Sequence, residues 1–180
     1  MRTYQVDIAG MKRDLQVFPI NEKVAIAAFI LFGDVEITEH SAKKLLEKTP
    51  EFDVILTPEA KAIPLAYEMS RQSGKKYVVA RKAPKLYMGN PFCVEVKSIT
   101  TEKEQKLYLG DDDILSLENK RVLIVDDVIS TGESLKAVIK LCEKVGGKVA
   151  GKCAVFIEGD EQGKEDVIYL SKIPLLDVEQ

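Results

Sequence analysis

Three cysteines and one histidine are all the thiol and imidazole metal ligands in this chain of 180 residues. Cys93, Cys142 and Cys153 are odd in number and unclustered, so neither a disulfide framework nor a zinc site is expected. Cys142 and Cys153 fall in apolar runs and read as core. No apolar run approaches the roughly 18 residues of a membrane span. Net charge is -3, so no polyanion-binding surface is implied. Neither nucleic acid nor membrane is therefore expected as a partner. Met1-Arg2-Thr3-Tyr4 opens directly into a strand pattern without a signal-peptide profile, which leaves the cytoplasm as the default expectation. Repeats, linkers and low-complexity segments are missing as well. Apolar residues at 46% against 31% charged give an ordinary globular balance, expected to form one domain over 1–180.

What is present is organised around Arg121 to Leu135. Val122 to Val125 is an aliphatic run without alternation, the pattern of a strand buried on both faces. Asp126 and Asp127 follow at its end, then Ser130-Thr131-Gly132-Glu133-Ser134. From Ser134 the spacing turns helical, with Leu135, Val138, Ile139 and Cys142 on one face. Strand, tight polar loop and helix start make a phosphate cradle, because unpaired N–H groups and the helix dipole both favour an anion. Two carboxylates would repel that anion unless they face another part of the ligand. Vicinal sugar hydroxyls, which carboxylates accept well, fit that part, and Mg²⁺ could bridge remaining charge. An acidic pair after a strand is also how a strand end with a helix cap reads. A phosphoacceptor receiver domain is excluded, since only 45 residues follow Leu135, too few for its later strands.

Val-Leu-Ile-Val-Asp-Asp-Val-Ile-Ser-Thr-Gly resembles the phosphoribosyl pyrophosphate (PRPP) motif of type I phosphoribosyltransferases. The resemblance implies that Asp126 and Asp127 hold the ribose hydroxyls. It implies that Ser130, Thr131, Gly132, Glu133 and Ser134 bind the 5-phosphate.

The rest of the chain reads as follows. Residues 3–20 form a hairpin turning at Gly10-Met11-Lys12. Val24 to Phe32 is either a buried strand or a short buried helix. Thr38 is expected to cap a helix carrying Ala42, Leu45 and Leu46, with His40 solvent-facing in its first turn. Asp53 to Leu56 and Tyr77 to Ala80 are strands, separated by a helix that carries Leu65 and Met69 and stops at Gly74. Units of this kind imply parallel strands, with ligands outside their carboxyl ends. The Glu59–Ala62 loop lies there and supplies backbone N–H groups and Lys61. Arg81, Lys82 and Lys85 lie at the next strand end, and four cations can hold a pyrophosphate. Phe92 to Ile99 and Gln105 to Leu109 alternate around a turn at Thr100–Lys103. Val149 to Phe156 is a strand, and Val167 to Leu170 and Ile173 to Leu176 close the chain as edge strands.

Thr-Pro-Glu-Ala-Lys-Ala-Ile-Pro-Leu-Ala is similar to the pyrophosphate loop of adenine and xanthine phosphoribosyltransferases, and Ala-Arg-Lys with Lys85 looks like their next element. The resemblance covers roughly residues 50–158. It implies an α/β fold with a mostly parallel central sheet, helices on both faces, a flap at about 86–113, and a small hood from the N-terminal hairpin and C-terminal strands. It implies pyrophosphate binding by Glu59, Ala60, Lys61, Ala62, Arg81, Lys82 and Lys85, with Asp126, Asp127, Lys61 and Arg81 catalytic. Mg²⁺ would be carried mainly by the substrate, near Asp126 and Asp127, and the protein would be a homodimer. The flap hairpin is either a mobile lid or a rigid part of that interface.

The expected reaction joins a purine to PRPP in purine salvage, most nearly adenine to AMP. The base pocket departs from the family: the adenine enzymes' Phe-Arg-Asp is missing. The Lys that xanthine enzymes carry after Ile-Glu is Gly159 here. Ser130 stands where hypoxanthine-guanine enzymes place an Asp. Adenine needs mainly an apolar slot and an acceptor, which Val24–Phe32 and Val155–Ile157 could line. A xanthine or guanine enzyme, or a non-catalytic PRPP-binding regulator, stays open.

Overall fold

The computed structural model describes residues 2–97 and 104–178. In chain order its elements are β1 (Thr3–Ile8), β2 (Met11–Pro19), β3 (Val24–Ala28), α1 (Val35–Leu46), β4 (Val54–Pro58), α2 (Ile63–Ser73) and β5 (Lys76–Ala80). A short 3-10 turn (Leu86–Met88) leads to β6 (Phe92–Lys97), β7 (Glu104–Leu109), α3 (Asp111–Leu117), β8 (Arg121–Ile129), α4 (Glu133–Lys144), β9 (Lys148–Glu158), β10 (Val167–Ile173) and β11 (Leu176–Asp177).

The centre is a five-stranded sheet in the order β10-β9-β8-β4-β5, parallel throughout. Its strands are apolar on both sides because both sides are covered. Ile55, Leu123 and Val125 join one buried cluster with Leu45, Leu65 and Met69 of α1 and α2. Val54, Val122 and Ile124 join a second cluster with Leu135, Val138 and Leu141 of α4 and Leu117 of α3. The fold is thus α/β with helices on both faces. The order reverses between β4 and β8: β4 leads through α2 outward to β5, and β8 leads through α4 the other way to β9. Such a reversal leaves a crevice at the strands' carboxyl ends.

A separate antiparallel sheet, β1-β2-β3-β11, combines the N-terminal hairpin with the chain's end. It is fastened to the main body by Phe29 against Phe156, edge to face at 4.8 Å and 79°. His40 places Nε2 3.0 Å from the Ile8 carbonyl and 3.1 Å from that of Ala9. Arg13 reaches Asp34 at 2.7 Å and Glu36 at 2.7 Å, which holds the Asp34 carboxyl below its ordinary range. A hairpin of β6 and β7 lies beside α4 and is tied to β5 by Arg81 N–H to Tyr108 O at 3.0 Å and its reciprocal at 2.8 Å. Its expected turn, Thr100–Lys103, lies outside the described residues.

Several expectations need correction. α1 is capped by Asp34, whose carboxylate accepts the Ile37 N–H at 3.1 Å. Thr38 lies inside the helix and donates its hydroxyl to the Asp34 carbonyl. Five residues before Thr38, Gly33 at φ +84° has already turned the chain. His40 is a half-buried tie between α1 and the end of β1, not a solvent-facing residue. Only Val24–Ala28 of the run to Phe32 is strand; Phe29 and Leu31 are buried, while Ile30 and Phe32 are each 56% exposed. Asp126 and Asp127 lie within β8, not after it, because the ladder to β9 continues to Ile129. The hairpin turns one residue early, at Ala9-Gly10. Of the two last strands only β11 joins the antiparallel sheet; β10 is an edge of the main one. Asp111–Asp113, placed in the hairpin region, open α3 instead, with Asp113 accepting the Gly110 N–H.

Phe156 is fully buried and joins the two sheets. Phe156→Ala should cost about 3–5 kcal/mol in urea unfolding, the loss for a large core aromatic. A cost below ~1 kcal/mol would mean that this contact does not fasten the sheets.

Candidate active site

Both sides of the crevice are built the same way. β4 ends in Thr57-Pro58 and runs through Glu59–Ala62 into α2; β8 ends at Ile129 and runs through Ser130–Gly132 into α4. Neither helix has a side-chain cap, in contrast with α1 and its Asp34. At α4 the Glu133 N–H finds only a long 3.4 Å contact to Thr131 Oγ1. Gly132 takes φ +79°, which turns the loop under the helix start and which a side chain would strain. Two adjacent central strands therefore deliver two loop-to-helix turns to the crevice. At α4 the first N–H groups are open to an anion. At α2 the Ile63 N–H donates to the Ala60 carbonyl at 3.2 Å and Pro64 has none, which leaves the loop before it as the anion-facing part.

Between them stand the carboxylates. Asp127 is 2% exposed, and Lys61 Nζ lies 2.9 Å from its Oδ2. That contact is an ion pair without hydrogen-bond alignment, for Oδ2 accepts no hydrogen bond. Asp126 accepts the Asp127 N–H at 2.9 Å. Its carboxyl keeps a half-exposed edge but is otherwise enclosed by protein; burial, and then the neighbouring Asp127 charge, push it up to about 8. Burial and the adjacent carboxylate thus both work against ionisation of Asp126 in the ligand-free site. Thr57, fully buried at the end of β4, has a hydroxyl without a partner.

The cations are less free than their spacing implies. Glu59 accepts the Lys82 N–H at 2.9 Å and holds Arg81 Nη2 at 3.3 Å, while Arg81 Nε is buried without a partner. Glu59 thereby orients the guanidinium, and its carboxylate is not itself a pyrophosphate group. Lys82 is exposed and Lys85 half-buried. The Glu59–Ala60 peptide is cis. Glu133 pairs with Lys136 at 3.3 Å, so what it offers a phosphate is its backbone N–H.

Lys61 and Ser130 share a cavity of about 320 Å³ with Ile26–Ile30, Val128 and Glu158. The structure therefore brings the β4 loop, the β8 loop and β3 to one place. Arg81 instead lines a separate depression with Tyr77, Tyr87 and Asp113. A larger hollow of about 530 Å³, between residues 31–39 and α2, contains none of the candidate ligand-binding residues. Sequence reasoning missed Glu158 and Val128 as lining groups. Their signal was position: each ends a central strand at the same edge as the acidic pair.

The model of the phosphoribosyl transferase domain family matches residues 35–178. The chain belongs to that family. It is 36% identical over 149 residues to the adenine phosphoribosyltransferase of Thermosipho africanus, covering 80% of this chain and 83% of the relative. It is 33% identical over 148 residues to the hypoxanthine/guanine phosphoribosyltransferase of Methanococcus voltae, covering 82% and 73%. The crystal structure of adenine phosphoribosyltransferase from Thermoanaerobacter pseudethanolicus superposes with a TM-score of 0.72 at 25% identity, covering 88% of this chain and 95% of that one. The two curated relatives differ in the base that their names carry.

The raised Asp126 carboxyl sets a pH dependence. A group whose folded value lies above its ordinary 3.8 binds more protons in the native state. Its contribution to stability is complete below that value and is lost as pH rises through about 8. Urea unfolding of the protein in EDTA should show stability falling across this window, and Asp126→Asn should flatten the fall. An identical slope in the variant would contradict the assignment.

Proposed function

We propose that this chain is a Mg²⁺-dependent purine phosphoribosyltransferase of purine salvage, nearest the adenine type. It would convert adenine and PRPP to AMP and pyrophosphate. The observation that carries the reading is the pair of uncapped helix N-termini at adjacent central strands with an acidic pair between them. PRPP has that shape: a phosphate at one end, a pyrophosphate at the other and two hydroxyls between. Ser130, Thr131, Gly132, Glu133 and Ser134 would hold the 5-phosphate and Asp126 and Asp127 the ribose. Ala60, Lys61, Ala62, Arg81, Lys82 and Lys85 would hold the pyrophosphate, with Glu59 orienting Arg81.

In the reaction a ring nitrogen of the base bonds to C1 of the ribose as the C1–O bond to pyrophosphate breaks. The leaving group takes the electron pair, and the base gives up its proton. Positive charge that develops on the sugar would lie over the acidic pair, Lys61 would face the departing anion, and Arg81 would reach it from the neighbouring strand end. Among the described residues no cluster of three or more His, Cys, Asp or Glu could hold a metal. The chain's part in Mg²⁺ binding is then at most the two carboxylates, which include the unbonded Asp127 Oδ2. That fits an ion bound mostly by substrate oxygens and water. When bound, Mg²⁺ would neutralise pyrophosphate charge.

The chain would act as one domain. The β6–β7 hairpin would serve as a flap that excludes water, and the antiparallel sheet as a hood over the base. Slower hydrogen exchange at 104–109 with substrate would support the flap; unchanged exchange would leave the hairpin a rigid element. No described helix is long and apolar enough to cross a membrane, and the cytoplasm is the proposed compartment. Exposed Phe32, Val35 and Tyr67 favour a homodimer, which sedimentation would test.

The relative named for hypoxanthine and guanine keeps a second base class in view. Pyrophosphate release from PRPP with adenine, hypoxanthine, guanine and xanthine decides among the readings. The highest kcat/KM is expected for adenine. A preference for xanthine or guanine would move the assignment within the family, and PRPP binding without release on any base would mark a regulator.

A further inference from the structure

The cavity of about 320 Å³ beside the acidic pair has an apolar side, with Ile26, Phe29 and Val128, and three groups of polar character: Lys61, Ser130 and Glu158. Lys61 is engaged with Asp127. Ser130 opens the phosphate loop. That leaves the Glu158 carboxylate, which pairs with no other described residue.

Its backbone, by contrast, is held from three sides. Glu158 is in register with Ile173 of β10. The next N–H, Gly159, donates to the Ile173 carbonyl at 3.0 Å. Lys164, 5% exposed, folds back to donate its ammonium to the carbonyls of Glu158 at 2.6 Å and Asp160 at 2.8 Å. A buried ammonium bonded to two carbonyls, with no carboxylate partner among the described residues, is a costly arrangement unless the fixed geometry it enforces has a use. Here the strand end it fixes carries an unpartnered carboxylate on the cavity wall.

Resting on the phosphoribosyltransferase reading, we propose that Glu158 determines base choice. It accepts the exocyclic amine of an aminopurine, and Lys164 is the positioning residue that holds it there. An ionised carboxylate only accepts hydrogen bonds. An amine donor satisfies it; a carbonyl oxygen at the same place meets a second acceptor and is repelled. Xanthine, with two carbonyls and a ring that ionises readily, is opposed most. The place after Ile157-Glu158 is Gly159 and supplies no cation, and Lys164 nearby spends its ammonium on the Glu158 and Asp160 carbonyls.

The test measures kcat/KM for adenine and hypoxanthine in the wild type, Glu158→Ala, Glu158→Gln, Lys164→Met and Lys164→Arg. PRPP affinity by calorimetry runs in parallel as the check on folding. Glu158→Ala should lower adenine kcat/KM by about 100-fold, the loss of one hydrogen bond to a charged group, and raise that of hypoxanthine by removing the opposed acceptor, with PRPP affinity nearly unchanged. Glu158→Gln has the same shape, keeps an acceptor and adds a donor, so it should recover part of the adenine rate and raise that of hypoxanthine. Lys164→Met should raise KM for adenine more than it lowers kcat, and Lys164→Arg should restore it. An unchanged adenine-to-hypoxanthine ratio in Glu158→Ala or Glu158→Gln, with PRPP affinity intact, overturns this proposal and spares the phosphoribosyltransferase reading. A wild type that releases no pyrophosphate with any base overturns both.

Discussion

The site depends on a carboxylate pair held inside the end of a parallel strand with one lysine to offset it. Asp127 is almost fully buried, Asp126 is pushed up to about 8, and Lys61 stands 2.9 Å from Asp127. Burial and the proximity of the two carboxylates both disfavour ionisation of Asp126 there. The arrangement is possible because β8 continues through both residues to Ile129 and so carries them beneath the loops. Lys61 reaches them because β4 is the adjacent strand and its loop opens on the same edge. The reversal of strand order thus brings two loops, 70 residues apart in the chain, to one crevice.

α2, α3 and α4 all begin without a side-chain cap, and for the two that follow crevice loops the bare start has a use. A side-chain cap satisfies the first N–H groups of a helix and spends them. α1, which only packs, has Asp34 in that place. α2 and α4, which face the crevice, have Ala62 and Gly132. At α4 the missing cap leaves the first N–H groups available for a ligand.

Much of this was legible in the sequence. The run Val122–Val125, the acidic pair and Ser130–Gly132 mark strand, carboxylates and loop by residue type alone. Gly74 and Gly146 stop helices where left-handed φ values of 69° and 80° are observed. What was not legible depended on partners far along the chain. Whether Asp126 and Asp127 belong to the strand is decided by β9, which pairs past them. The division of the two last strands between sheets is decided by β3 and β9, not by their own alternation. α3 was hidden because three acidic residues at a helix start look like a polar loop until Asp113 is seen capping Gly110. Among the cations, spacing placed Arg81 at the strand end but could not show that Glu59 already holds it.

The account stands on the claim that the acidic pair and the two loop-to-helix turns together bind PRPP. Isothermal calorimetry of PRPP with Mg²⁺ against the wild type and the Asp126→Asn/Asp127→Asn double variant tests it most directly. The substitutions preserve size while weakening the acceptors for the sugar hydroxyls. The account predicts measurable binding to the wild type and its loss in the double variant, with urea stability little reduced. Equal affinity in the two proteins would contradict it.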